Sequence, residues 1–238
     1  MIYKIKSSIV IHPLYYLVLV IMTFTGLLKY YFLYTLVIII HELGHIFASI
    51  VLKWKIDKVT IYPFGCMTTF NNKLNSSIIE EFLILIMGPL FQIVFYMIYP
   101  TKYHYFILIF NLLPIYPLDG SKILFLLFNK LSSYYKSYIY VYIISYITII
   151  ILIIYNFDFI SIVVLLNLLY DVYKYNKNIH NTMLKFLYER YKYKYIFKKN
   201  NIIIGNKIYS MKRSKNNYFY INNKIVNEYK ILSKIFKK

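Results

Sequence analysis

At 238 residues, 60% hydrophobic and 21% aromatic, the chain carries more apolar surface than a soluble domain of its size can hide, which points to an integral membrane protein. Its formal charge of +19 would suit nucleic acid, but the cations sit between and after apolar runs rather than on one face, which argues against that partner. A single cysteine, Cys66, excludes an intrachain disulfide and fits a reducing cytoplasmic side, and no small-residue cleavage site follows the first apolar run, so no cleavable signal peptide is expected.

Six apolar runs predict six membrane-spanning helices, over residues 9–28, 31–52, 82–99, 103–128 (with a break), 134–155 and 157–173. An even number puts both termini on one side. With the termini cytoplasmic, all of the 28 Lys and Arg except Lys29 and Lys102 fall on the inner side, as the positive-inside rule requires. The predicted fold class is therefore an all-α polytopic membrane protein of the cell membrane, multi-pass, with both termini cytoplasmic. A six-span membrane-embedded domain covers residues 1–173, and a small basic cytoplasmic tail covers 174–238.

The second run contains His41-Glu42-Leu43-Gly44-His45, flanked by Leu36-Val37-Ile38-Ile39-Ile40 and Ile46-Phe47-Ala48-Ser49-Ile50-Val51-Leu52. Two histidines four apart on a helix are rotated by only about 40°, so both imidazoles face one way and can grip one metal ion. Glu42 points off that axis, where it can take a proton from a metal-activated water. After this run, residues 57–62 are β-branched and aromatic, Pro63-Phe64-Gly65 turns the chain, and residues 67–70 resume extended character, which predicts a hairpin at the inner membrane surface. Its edge can receive an extended substrate as an added strand, with Phe64 and Met67 lining the approach. Trp54 beside Lys53 and Lys55 reads as an interfacial anchor.

A catalytic zinc needs a third protein ligand and one open position. The acids available are Glu80, Glu81, Asp119, Asp158 and Asp171. Asp119 stands apart, because Pro114, Pro117 and Gly120 break the fourth run around it, and an ionisable residue at an intramembrane break is a functional candidate. His12, His104 and His180 are not assigned to metal, Cys66 reads as a small packed residue, and Gln92, Asn156 and Asn167 read as packing or cap residues. In the tail, residues 178–199 suit a basic amphipathic helix, and short strand-like runs follow at 202–204, 207–209 and 218–221. A tail this basic suits an anionic inner leaflet, or is simply a solvated basic region.

His41 to His45 in a second span, Pro63-Phe64-Gly65 in a hairpin, and Asn111 with Pro117-Leu118-Asp119-Gly120 in a fourth span together resemble the site-2 protease family of intramembrane zinc metalloproteases, and within it the sporulation-type members. Cys66 and Ser121 stand where many members carry a second glycine. The resemblance implies one zinc held by His41, His45 and Asp119, Glu42 as the residue that activates water, and Asn111 and Pro117 as substrate-holding residues. It also implies peptide-bond hydrolysis in a membrane-associated or transmembrane substrate, with a sporulation sigma-factor precursor suggested. The expected partners are that substrate, the lipid bilayer, and inhibitory or regulatory membrane proteins, with no nucleic acid. A membrane cation transporter would repeat acids and histidines across several helices, which this sequence does not. A catalytically silent zinc-binding scaffold would be expected to lose Glu42 or a ligand, and neither is lost.

Overall fold

The computed structural model describes residues 8–63, 65–70, 74–155 and 159–236. Two compact units are formed, Met1–Asn72 with Ile79–Asn111, and Lys73–Ile78 with Leu112–Lys238.

The first unit opens with β1 (Ser8–Ile11) and α1 (Pro13–Phe24). Pro13 lacks an N–H and so suits the first helical position, while His12 caps the helix by accepting from Leu14 N at Nδ1, 3.3 Å. With 12 residues, α1 is about 18 Å long against a membrane core of about 30 Å. The run expected to span as one helix over 9–28 is thus a strand, a short helix and a turn at Gly26 (φ 71), because Ile9-Val10-Ile11 finds a strand partner. α2 (Leu28–Val51) has 24 residues, about 36 Å. The expected hairpin follows as β2 (Ile56–Tyr62) and β3 (Gly65–Phe70), antiparallel with Tyr62 opposite Gly65. It gains β1 as a third strand, parallel to β2, with Ser8 opposite Lys58 and Ile11 opposite Ile61. The His12 ring stacks on Tyr62, fixing the start of α1 to that sheet. α3 (Ile78–Ile98), with Pro89 inside it, and α4 (Lys102–Leu112) complete the unit. Leu36, Phe47 and Ile50 of α2 and Val94 and Met97 of α3 are exposed, as helices bathed in lipid require.

The second unit holds α5 (Asp119–Leu131), α6 (Tyr134–Tyr155), α7 (Phe159–Lys177), α8 (Ile179–Tyr193) and α9 (Glu228–Phe236). It also holds a sheet of β4 (Asn200–Ile204), β5 (Asn216–Ile221) and β6 (Lys224–Asn227). β4 runs parallel to β5, and β5 turns into antiparallel β6 through Asn222 and Asn223, both at positive φ, as a tight hairpin needs. The tail is folded rather than a solvated basic region: Met183, Phe186, Leu187, Phe219, Ile231 and Leu232 share an apolar core with Tyr134 of α6, whose ring stacks on Phe186. The strand-like run at 207–209 is instead part of a 3₁₀ turn, Ile208–Ser210, that delivers fully buried Met211 to this core.

Among the described residues, three helices are long and apolar enough to cross a membrane: α2, α3 and α6. The fourth expected run is divided into α4 and α5, with residues 113–118 outside helix, as its prolines demand. The sixth coincides with α7, whose start follows residues 156–158, which lie outside the described residues.

Candidate metal centre

His41, Glu42 and His45 lie in the middle of α2 and are buried, together with Gly44, Ala48 and Ser49. Leu43 and Phe47 face outward. The backbones of α2 and α3 approach closely here because two glycines permit it. A Cβ on Gly44 would meet the Met87 carbonyl oxygen and, at 2.9 Å, Gly88 Cα. A Cβ on Gly88 would enter the His45 ring and come within 2.9 Å of His41 Nε2. Gly88 therefore makes the room in which the two imidazoles sit.

Hydrogen bonds fix how those rings are turned. His45 Nδ1 lies 2.8 Å from the Ile84 carbonyl oxygen, which can only accept, so Nδ1 carries the proton. His41 Nδ1 lies 2.8 Å from Gln92 Oε1, and Gln92 Nε2 donates to the His104 carbonyl at 2.6 Å. That second bond sets the amide's orientation, so His41 Nδ1 is a donor as well. In the neutral rings both Nε2 atoms then present lone pairs, and they stand 3.2 Å apart. The separation suits two nitrogen ligands of one tetrahedral zinc, each about 2.0–2.1 Å from the ion, so the residues present fit the metal.

Asp119 is placed in the second unit, buried at the first position of α5, where a carboxylate complements the helix dipole. Its Oδ1 accepts from Lys122 Nζ at 2.9 Å, and the lysine side chain is half exposed. The break before it is pinned from several sides. Ser145 Oγ accepts from Tyr116 N at 3.0 Å and donates to the Pro114 carbonyl at 3.2 Å, and Ile115 is fully buried. Gly120 lies against the Leu112 and Leu113 carbonyl oxygens with no space for a Cβ. Ser121, where a second glycine is common, turns its hydroxyl back to the Leu118 carbonyl at 2.7 Å.

Of the other acids, Glu80 accepts from Trp54 Nε1 at 2.9 Å, which engages that carboxylate with the expected interfacial anchor. Asp158 and Phe64 lie outside the described residues. Asn111 is half-buried near the end of α4, and Pro117 is half-buried in the break. Cys66 packs with Val37, Ile38 and Ile107, and burial, with the Glu42 carboxylate adding to it, pushes its thiol up to about 12. Sequence reasoning missed Ser145 and took Gln92 for a packing or cap residue. His104, which the sequence left unassigned to metal, is buried against the rings of Phe95 and Tyr96. The one available signal was an amide and an imidazole, both costly in an apolar helix unless bonded.

Residues 98–155 match the family model described as Peptidase family M50. That stretch of the chain is thus similar to part of a known peptidase family. That M50 segment includes Asn111, Pro117 and Asp119, while His41 to His45 precede it. Stage IV sporulation protein FB of Bacillus subtilis (strain 168) is 34% identical over 144 residues, 54% of this chain and 50% of the relative. The chain thus spans about half the length of that curated relative. The solved site-2 protease from Methanocaldococcus jannaschii superposes with a TM-score of 0.56 at 23% identity, over 73% of this chain and 93% of that one, and so shares the fold. M50 peptidases are membrane metalloproteases, in keeping with the apolar helices and the imidazole pair found here.

Proposed function

We propose that this chain is an intramembrane zinc metalloprotease that hydrolyses peptide bonds of membrane-associated or transmembrane substrates. The observation that carries this reading is the pair of Nε2 atoms 3.2 Å apart on a buried helix face, each ring having its Nδ1 committed to an acceptor. His41, His45 and Asp119 are the proposed ligands of one zinc. Asp119 is supported by its burial, by the broken helix that presents it, and by its place within the M50 segment.

Bound zinc supplies Lewis acidity, for activating water and polarising a peptide carbonyl. Glu42, buried beside both histidines in sequence, accepts the proton of the attacking water and hands it to the leaving amine. Asn111 is the proposed neutral donor to the substrate, and Pro117 holds the backbone of the break against it. β3 is an edge strand, and a substrate unwound from helix adds to it as a fourth strand, with Met67 and Phe64 lining the approach. Burial of Glu42 keeps bulk water from competing with the proton transfer.

The full reading has six spans with both termini cytoplasmic, supported by the distribution of Lys and Arg. The tail of 174–238 is a cytoplasmic accessory body. A relative named as a stage IV sporulation protein supports a sporulation role, with a membrane-associated sigma-factor precursor as the proposed substrate. N-terminal proteomics of cells carrying wild type or Glu42→Gln tests this directly. Losing a general base costs about 10²–10⁴-fold in rate, so new N-termini from membrane-associated proteins should vanish in the variant. Their persistence at wild-type levels overturns the proposal.

A further inference from the structure

Gln92 is 1% exposed in the middle of an apolar helix. A buried amide is costly in that setting unless both its ends are bonded. Its nitrogen donates to the His104 carbonyl, and its oxygen receives the proton of His41 Nδ1. The order of this relay cannot be reversed. A backbone carbonyl has no proton to give, so the NH₂ end must face His104 and the oxygen must face His41. The proton of His41 is therefore held on Nδ1, which leaves Nε2 as a lone pair facing that of His45.

The two histidines differ in what holds them. His45 is oriented by the Ile84 backbone carbonyl, which no side-chain substitution removes. His41 depends on a side chain, and that side chain is braced by the first turn of α4.

The geometry points to Gln92 as a positioning residue of the metal centre. It selects the tautomer of His41 and locks the ring so that Nε2, not Nδ1, meets the ion. This inference rests on the zinc reading above. A packing role alone would make Gln92 a helix-to-helix fastener with no influence on metal affinity. A positioning role makes the acceptor at its oxygen the property that matters. Glutamate keeps that acceptor and, as the protonated acid, an O–H donor for the His104 carbonyl, whereas leucine keeps neither.

The test is zinc affinity, measured by chelator competition on the detergent-purified full chain, with no activity assay involved. Removing an outer partner of a metal-bound histidine weakens metal binding by about 10–100-fold. Gln92→Leu should lose affinity by that factor, and Gln92→Glu should regain most of it. Zinc bound by Gln92→Leu as tightly as by wild type overturns the inference while leaving the zinc reading intact. Gln92→Glu as weak as Gln92→Leu also overturns it. Wild-type chain that binds no zinc overturns both. Should Gln92→Leu fail to fold, nitrogen-15 NMR of histidine-labelled, metal-free wild type decides. The neutral His41 ring should be found as the Nδ1–H tautomer, and an Nε2–H tautomer overturns the assignment.

Discussion

Two buried polar networks in this chain have opposite characters. In the second unit, Arg190 is 1% exposed, yet its guanidinium is closed on all sides. It pairs with Glu228 at 2.9 Å and donates to Asn75 Oδ1 at 3.1 Å, the Arg213 carbonyl at 2.9 Å and the Lys215 carbonyl at 2.7 Å. Glu228 in turn takes bonds from Asn217 N and Nδ2. Burial lowers the Arg190 guanidinium from its ordinary value, and the Glu228 carboxylate pulls it back. In the first unit, by contrast, His41 and His45 give their Nδ1 atoms to outer partners and gather their Nε2 atoms on one side, 3.2 Å apart. A closed network holds a fold together. Two imidazole nitrogens gathered on one side of a buried helix suit the ligation of one metal ion.

Breaking each network should therefore have a different signature. The largest effect on stability is expected from Arg190→Met, which leaves Glu228 buried without its partner at a cost of about 3–5 kcal/mol. Thermal unfolding of the full chain reads that loss. The double variant Arg190→Met with Glu228→Leu should recover much of it, since replacing both charges removes the stranded one.

Next comes Gly88→Ala, which puts a methyl group into the space of both imidazoles. Overpacking costs about 1–3 kcal/mol, and here it falls on the ligands, so zinc affinity should drop about ten- to hundredfold while the Arg190 network is untouched. Unchanged affinity would show that the rings do not sit where the glycine leaves room.

The smallest effect is expected from Ser145→Ala, which removes the hydroxyl bracing Tyr116 N and the Pro114 carbonyl. The bond is only part-buried, so the unmet donor costs less than a fully buried one, for which the cost is about 1–3 kcal/mol. Faster hydrogen exchange confined to residues 113–118 is the expected readout. Exchange there at the wild-type rate would assign the bracing to other contacts.

What could be read from the sequence was whatever depends on near neighbours. The helical period alone puts His41 and His45 on one face, and Pro114, Pro117 and Gly120 announce the break before α5. The β2–β3 hairpin is local as well, with its turn at Pro63. What escaped depends on partners far along the chain. β1 pairs with a strand about 50 residues away, so its Ile-Val-Ile looked like the start of a span. Gln92 acquires its meaning from His41, 51 positions earlier. Arg190 looks like any other cation of a basic tail until Glu228 and Asn75 are brought to it.

The central claim is that the imidazole pair of α2 holds a metal ion. Zinc content of the purified full-length chain tests it most directly, compared with a variant in which His41 and His45 are both alanine. One zinc per chain in wild type and none above background in the double variant is the expected result. Equal zinc in both proteins, or none in either, would contradict the account.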